Sequence, residues 1–88
     1  MLSDHIKFSL HEGTQQRVPG GIVSLFEVVF TDPLQAELGV STGDEREWLT
    51  LSVGECADVA GIGRLELIDV RIAPPGESSS VVLDLLPV

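Results

Sequence analysis

The stretch Ile22-Val-Ser-Leu-Phe-Glu-Val-Val-Phe-Thr-Asp32 decides the fold class. Seven of its eleven residues are β-branched or aromatic, the types that favour β-strands. Period-two alternation gives it two apolar faces, which are Ile22, Phe26, Val28 and Phe30 on one side and Val23, Leu25 and Val29 on the other. A strand that is apolar on both sides either lies centrally in a sheet or places one face against a partner.

Alternating apolar and polar residues predict further strands on both sides of this stretch. Ile6, Phe8 and Leu10 alternate with polar neighbours, and the same pattern recurs over 34–40 and 48–53. Glycine and proline divide the chain into segments of at most twelve residues, namely 1–12, 22–32, 34–38, 44–53, 55–60, 64–73 and 77–86. We therefore predict an all-β fold, a small antiparallel β-sandwich or barrel of about six to seven short strands, in a single domain over 1–88.

Turn signals separate the predicted strands. Val18-Pro-Gly-Gly21 is typical of a type II turn, and Thr42-Gly-Asp44 and Gly61-Ile-Gly63 predict further reversals. The segment 44–53 begins Asp-Glu-Arg-Glu, which leaves one helical turn as an alternative there. Ser78-Ser-Ser80 is interpreted as a loop before the last strand, so we expect the substitution Ser79→Glu to be tolerated.

Composition and charge exclude several classes of protein. The chain is 43% hydrophobic and 22% charged, which excludes an intrinsically disordered chain. Fourteen acidic residues against five basic ones give a net charge of −9, so we expect no nucleic-acid partner and instead a protein partner of basic character. Its apolar runs are too short for a membrane span. The single cysteine, Cys56, allows no internal disulfide, which indicates a cytoplasmic protein.

No motif in the sequence predicts a catalytic, cofactor-binding or metal-binding residue. His5 and His11 lie six residues apart on one strand, about 20 Å, which is too far to share a metal. Cys56 lacks a Cys-x-x-Cys partner and is interpreted as a small core residue. Gly61-Ile-Gly-Arg64 lacks the rest of a phosphate-binding loop.

Four residues are candidates for contact with a partner or ligand. Glu27, Asp69 and Arg71 interrupt otherwise apolar strands, and Trp48, the sole tryptophan, stands on the polar side of its strand. Asp69 and Arg71 share a face and form either a solvated ion pair or, with Glu27, a polar cluster lining a pocket. Trp48 is either a lid over the end of a barrel or an exposed anchor for a partner.

The stretch Leu49-Thr-Leu-Ser-Val-Gly-Glu55, then Ala57-Asp-Val59 and Leu65-Glu-Leu-Ile-Asp-Val-Arg-Ile72, resembles the opening of carbon-storage-regulator-type RNA-binding proteins. The resemblance covers about 25 residues and implies a run of short antiparallel strands. That family relies on basic residues where this chain has neutral or acidic ones, so RNA binding is not carried over. The overall layout is also similar to small all-β proteins of actinomycetes.

The leading hypothesis is a non-enzymatic acidic accessory protein, of the interaction, immunity or inhibitor type. One alternative is a small barrel that binds an apolar ligand, or acts as a cyclase or isomerase by shape, because such catalysis needs no recognisable motif. A second alternative is a nucleic-acid mimic. We also expect a homo-oligomer, because the last strand, if it lies at a sheet edge, leaves an apolar edge to cover. Its candidate oligomer contacts are Val81, Leu83 and Leu85.

Overall fold

The computed structural model describes residues 4–87, which form a β-sandwich of two four-stranded antiparallel sheets. The strands are β1 Ile6–His11, β2 Gln15–Val18, β3 Gly21–Val29, β4 Gln35–Thr42, β5 Glu45–Ser52, β6 Cys56–Val59, β7 Gly63–Arg71 and β8 Ser80–Pro87. Sheet 1 has the order β1-β8-β7-β6, and sheet 2 has the order β2-β3-β4-β5. The all-β fold predicted from the sequence is confirmed, and of its two forms the sandwich is present.

The interior between the sheets is filled by the alternate residues of every strand. Seventeen apolar side chains of the described residues are buried there, among them Val23, Leu38 and Leu83. Ile62 also reaches the core from the β6–β7 turn, because the glycines on either side of it let the chain reverse with φ of +82° and +130°. The inner faces of both sheets are filled by the core, so a binding surface can lie only on their outer faces, at their edges or in the loops.

One strand and one segment differ from the sequence prediction. The strand β2 was not predicted, because it is short and polar, with only Val18 buried. It forms a hairpin with β3 through Pro19 and Gly20, and the φ of +93° at Gly20 fits the type II turn expected there. The helical alternative over 44–53 is wrong, because Glu45–Ser52 pairs along its whole length with β4.

A β-bulge changes which residues of β3 face the core. The pairing register with β4 shifts between Leu25 and Glu27, so Phe26 is an extra residue on β3. Val28 consequently lies in the core with Val23 and Leu25, and the two faces predicted from strict alternation are wrong beyond the bulge. A second bulge between Leu67 and Asp69 shifts β7 in the same way.

The last strand is central in its sheet, which corrects the expectation that it lies at an edge. β8 pairs with β1 on one side and with β7 on the other. Val81, Leu83 and Leu85 are fully buried against sheet 2, so they are core residues and not contacts for a second copy. The premise on which the sequence placed an oligomer interface at this strand is therefore wrong.

Ser79, the residue just before β8, is buried, which corrects its interpretation as a tolerant loop residue. Its hydroxyl accepts a hydrogen bond from the backbone N–H of Ala73 at 3.1 Å, and its own backbone N–H is bound by the carboxylate of Glu12. We expect Ser79→Glu to lower the free energy of unfolding by more than about 2 kcal/mol, since it places a second carboxylate beside Glu12 in a buried position. Urea unfolding followed by circular dichroism measures this, and a loss below about 0.5 kcal/mol would contradict it.

No helix in the described part of the chain is long and apolar enough to cross a membrane.

Candidate functional site

The most unusual surface of the molecule is the outer face of sheet 2, which we call the aromatic face. Phe26 and Trp48 project from it side by side, with 48% and 56% of their surfaces exposed. Their ring centroids are 4.4 Å apart and the rings are tilted by 44°. About half of each aromatic side chain thus stays in contact with solvent. Tryptophan is also among the residues most enriched in binding hot spots.

Gly39 is the floor beneath the two rings. It pairs directly with Trp48 across β4 and β5, and its missing side chain leaves the space that the rings occupy. A Cβ atom at position 39 would lie 2.7 Å from Cζ3 of Trp48 and 3.3 Å from Cε2 of Phe26. The glycine thus leaves room for both rings above the backbone of β4, and the bulge in β3 turns Glu27 to the same face as Phe26.

One end of the aromatic face is basic. The outward residues of the row beside Trp48 are Arg17, Ile22, Ser41 and Arg46, one on each strand. The guanidinium carbon of Arg46 lies 5.7 Å from the Trp48 ring centroid, within the range of a cation–π contact. Among residues 4–87, neither of these arginines has a carboxylate at ion-pair distance, although the chain has nine more negative charges than positive ones.

The other end of the aromatic face is acidic. Glu27 on β3 and Glu37 on β4 are direct neighbours in the pairing register, and Thr50 completes their row on β5. Like charges that face each other across a strand pair destabilise a sheet. In the described part of the chain neither carboxylate takes part in an ion pair. The two glutamates therefore form a place where a cation from another molecule would relieve repulsion.

Two open hollows flank the aromatic pair. One, of about 330 Å³, lies toward the basic end and includes Thr14, Ser24 and Arg46 in its lining. The other, also of about 330 Å³, lies toward the acidic end beside Glu37, Leu49 and Thr50. Phe26 and Trp48 line both, so the two rings form a ridge between the hollows. A ridge between two open hollows is a shape that suits contact with another protein surface better than the enclosure of a small ligand.

The structure separates the four residues that the sequence singled out. Trp48 and Glu27 both lie on the aromatic face, where Glu27 is exposed. Asp69 and Arg71 lie on the outer face of sheet 1, with Arg71 Nε 3.9 Å from Asp69 Oδ2 and both side chains more than half exposed. They form a solvated ion pair, as the simpler of the two interpretations held. The prediction of a pocket shared with Glu27 is wrong, because Glu27 lies on the outer face of sheet 2 and both sheets separate it from Asp69 and Arg71.

The outer face of sheet 1 offers less. His5 Nδ1 lies 2.7 Å from Asp84 Oδ2, and Asp84 Oδ1 is buried without a hydrogen-bond partner in the described residues. Arg64 is held by Asp58 at 3.2 Å, and that hydrogen bond and charge raise the pKa of the guanidinium above its ordinary value. Within residues 4–87 no three histidine, cysteine or acidic side chains are grouped to hold a metal ion. Cys56 is exposed on β6, so its interpretation as a core residue is wrong.

Part of the aromatic face could have been found from the sequence. The turn at Thr42-Gly-Asp44 fixes the hairpin register, and counting back from it places Gly39 opposite Trp48 and Ser41 opposite Arg46. Alternation places Phe26 on the same face as Ile22, but its contact with Trp48 could not have been found, because β3 and β5 are not adjacent strands. Glu27 faces outward beside Phe26 only because of the bulge, for which we see no signal in the sequence.

Comparisons with protein-family models, with curated proteins and with solved structures find no match to this chain.

Proposed function

We propose that this chain is a small, acidic, non-enzymatic interaction protein that docks on another protein through the aromatic face. The observation that carries the proposal is the exposed Phe26–Trp48 ridge, seated on Gly39 in the middle of a sheet face. Exposed apolar groups rimmed by charge are characteristic of protein-binding surfaces. An accessory, immunity or inhibitor protein is the class of molecule that such a surface serves.

The charges on the face define the chemistry of the partner. A complementary surface places a cationic group against Glu27 and Glu37, an apolar group against the ridge and a carboxylate near Arg46. The net charge of −9 favours encounter with a basic partner over an acidic one. The cytoplasm is the compartment we propose, since a chain with one exposed free cysteine gains no stability from an oxidising environment.

The alternative of a barrel that encloses an apolar ligand has less support. The two sheets have separate edges, and core side chains fill the space between them. The hollows beside the aromatic ridge open outward. Mimicry of a nucleic acid also has less support, because the aromatic face carries two arginines beside its two glutamates.

Selection from a random peptide display library tests the proposal without a known partner. We expect the wild-type chain to enrich peptides in which an aromatic or aliphatic residue stands beside Lys or Arg. Binding should fall at least about tenfold on Trp48→Ala or Phe26→Ala, because the ridge supplies the apolar contact. Ile72→Ala is the matched control, since Ile72 is a similarly exposed apolar residue at 56% that lies at the end of sheet 1. Enriched peptides that bind the Trp48→Ala variant as well as the wild type would contradict the proposal.

A further inference from the structure

The aromatic face carries the same groups that a partner of this face would need, and we infer that the partner is a second copy of this chain. The inference replaces the basic partner proposed above: the opposite charges at the two ends of the face have to outweigh the long-range repulsion between two copies of net charge −9. The inference rests on the proposed function and names the occupant of the same surface. An apolar ridge, a basic end and an acidic end on one face make that face complementary to itself once it is turned around. A two-fold pair would therefore satisfy both ends of both copies at once.

The order of charges along the strands carries this inference. Following β4 and β5, the rows run from Ser41 and Arg46, through Gly39 and Trp48, to Glu37 and Thr50. Adjacent rows on one face are two residues apart, about 6.6 Å, so the arginine row and the glutamate row are about 13 Å apart. The aromatic ridge lies midway between them.

A two-fold axis near the ridge, running across the strands, exchanges the two ends. Arg46 of one copy then lies over the acidic end of the other, one strand spacing of about 4.8 Å from Glu37, which is within reach of an arginine side chain. The two-fold axis repeats this contact with the roles of the two copies exchanged. Because the ridge itself runs across the strands, from β3 over Gly39 to β5, the two ridges meet at the axis and pack directly against each other.

Three of the four sheet edges, β2, β5 and β6, are poor alternatives for self-association. The edge strands β2 and β6 have only four residues each. The edge strand β5 carries Glu45 and Glu47, which pair with Thr42 and Val40. Both glutamates therefore lie on the core-facing side of β5, where they remain exposed at the edge of the sheet. Short edge strands and charges turned inward are the means by which natural sheets prevent edge pairing. Pairing through the aromatic face leaves these edges in solvent.

The size of the face sets the expected strength. Three strands of about eight residues and one of four, about 4.8 Å apart and with about 3.3 Å per residue, give roughly 450 Å² per copy, or about 900 Å² for the pair. This is near the lower limit for a specific interface, so the expected dimer dissociates in the micromolar range.

Charge exchange between two variants is the decisive experiment. All samples carry Cys56→Ser, so that the exposed thiol cannot link two chains, and mass is measured by sedimentation equilibrium from one to several hundred micromolar. We expect Arg46→Glu and Glu37→Arg each to raise the dimer dissociation constant at least about tenfold, because each variant repels itself at two symmetric contacts. An equimolar mixture should dimerise again, since each contact then pairs opposite charges.

Matched controls change the same charges on the other sheet. Arg64→Glu and Asp69→Arg leave the aromatic face unaltered and should leave dimerisation within about threefold of the parent chain. A mass of 9.4 kDa at every concentration, or a mixture that stays monomeric, overturns the inference. In that case peptide selection that still depends on Trp48 would leave the proposed function standing with a different partner. Loss of both results would remove both.

Discussion

Replacing Leu83 by lysine should unfold the protein, whereas replacing its neighbour Val82 by lysine should not. Leu83 is fully buried at the centre of β8, between β1 and β7 and against sheet 2. Truncating a buried leucine to alanine costs about 3 kcal/mol, and an unpaired buried charge costs more. A domain of this size has roughly 4–13 kcal/mol of stability in total, so Leu83→Lys removes most or all of it.

Val82 is the matched control because it is one residue away on the same strand and turned to the opposite face. It is half-buried on the outer face of sheet 1 and pairs with Asp69, so a lysine there reaches solvent beside a carboxylate. We expect Val82→Lys to change the free energy of unfolding by less than about 1 kcal/mol. The measurement is urea unfolding followed by far-ultraviolet circular dichroism, with Leu83→Ala as an intermediate variant.

The same pair of variants separates a core position from an interface position. If β8 were an exposed edge that joins two copies, Leu83→Lys would yield a folded monomer with native circular dichroism. That result would contradict the central position of β8. An unfolded Leu83→Lys beside a folded Val82→Lys is what the sandwich requires.

The fold class could be predicted from the sequence because it depends on local patterns. Alternation over 48–53 and the glycines near positions 43 and 61 report which residues extend and where the chain reverses. Strand order could not be predicted, because pairing between β1 and β8 joins residues more than seventy positions apart and leaves no local pattern. The position of the last strand was therefore inferred from its place in the chain, and that inference failed.

The candidate site shows the same division. Trp48 was found because a large apolar residue on a polar face breaks the alternation. Its contact with Phe26 was hidden because the two residues lie on β3 and β5, which are separated by β4. The arginine and glutamate rows were hidden because charges on separate strands become neighbours only when the register is known. A residue can thus be recognised as unusual from the sequence, while the surface it belongs to depends on tertiary pairing.

Glu12 is a structural residue that the sequence analysis did not single out, because its role depends on contacts with distant parts of the chain. It follows β1 and is half-buried where the chain passes from sheet 1 to sheet 2. Its Oε2 accepts a hydrogen bond from the backbone N–H of Val28 at 2.9 Å, and its Oε1 accepts one from Ser79 at 3.0 Å. One carboxylate therefore ties β3 of sheet 2 to the start of β8 in sheet 1.

Removing this carboxylate should cost more than removing any solvated one. Glu12→Ala leaves two partly buried N–H groups without an acceptor, and we expect the free energy of unfolding to fall by about 2–4 kcal/mol. Glu12→Gln should lose about half as much, since the amide keeps one acceptor oxygen but turns a donor toward the other N–H. For a domain of this size the alanine variant should melt roughly 8–30 °C lower.

Glu55→Ala is the matched control for this prediction. The Glu55 Oε1 also accepts a backbone N–H, from Ser52 at 2.9 Å, but it does so in an exposed turn and joins residues three apart. Its loss should cost less than about 1 kcal/mol, because water replaces the acceptor. Thermal unfolding of the three variants decides the matter, and equal losses for Glu12→Ala and Glu55→Ala would show that Glu12 does not tie the sheets together. Because the Val28 N–H that Glu12 binds lies next to the bulge at Phe26 and Glu27, a folded Glu12→Ala variant should also bind selected peptides more weakly than Glu55→Ala does.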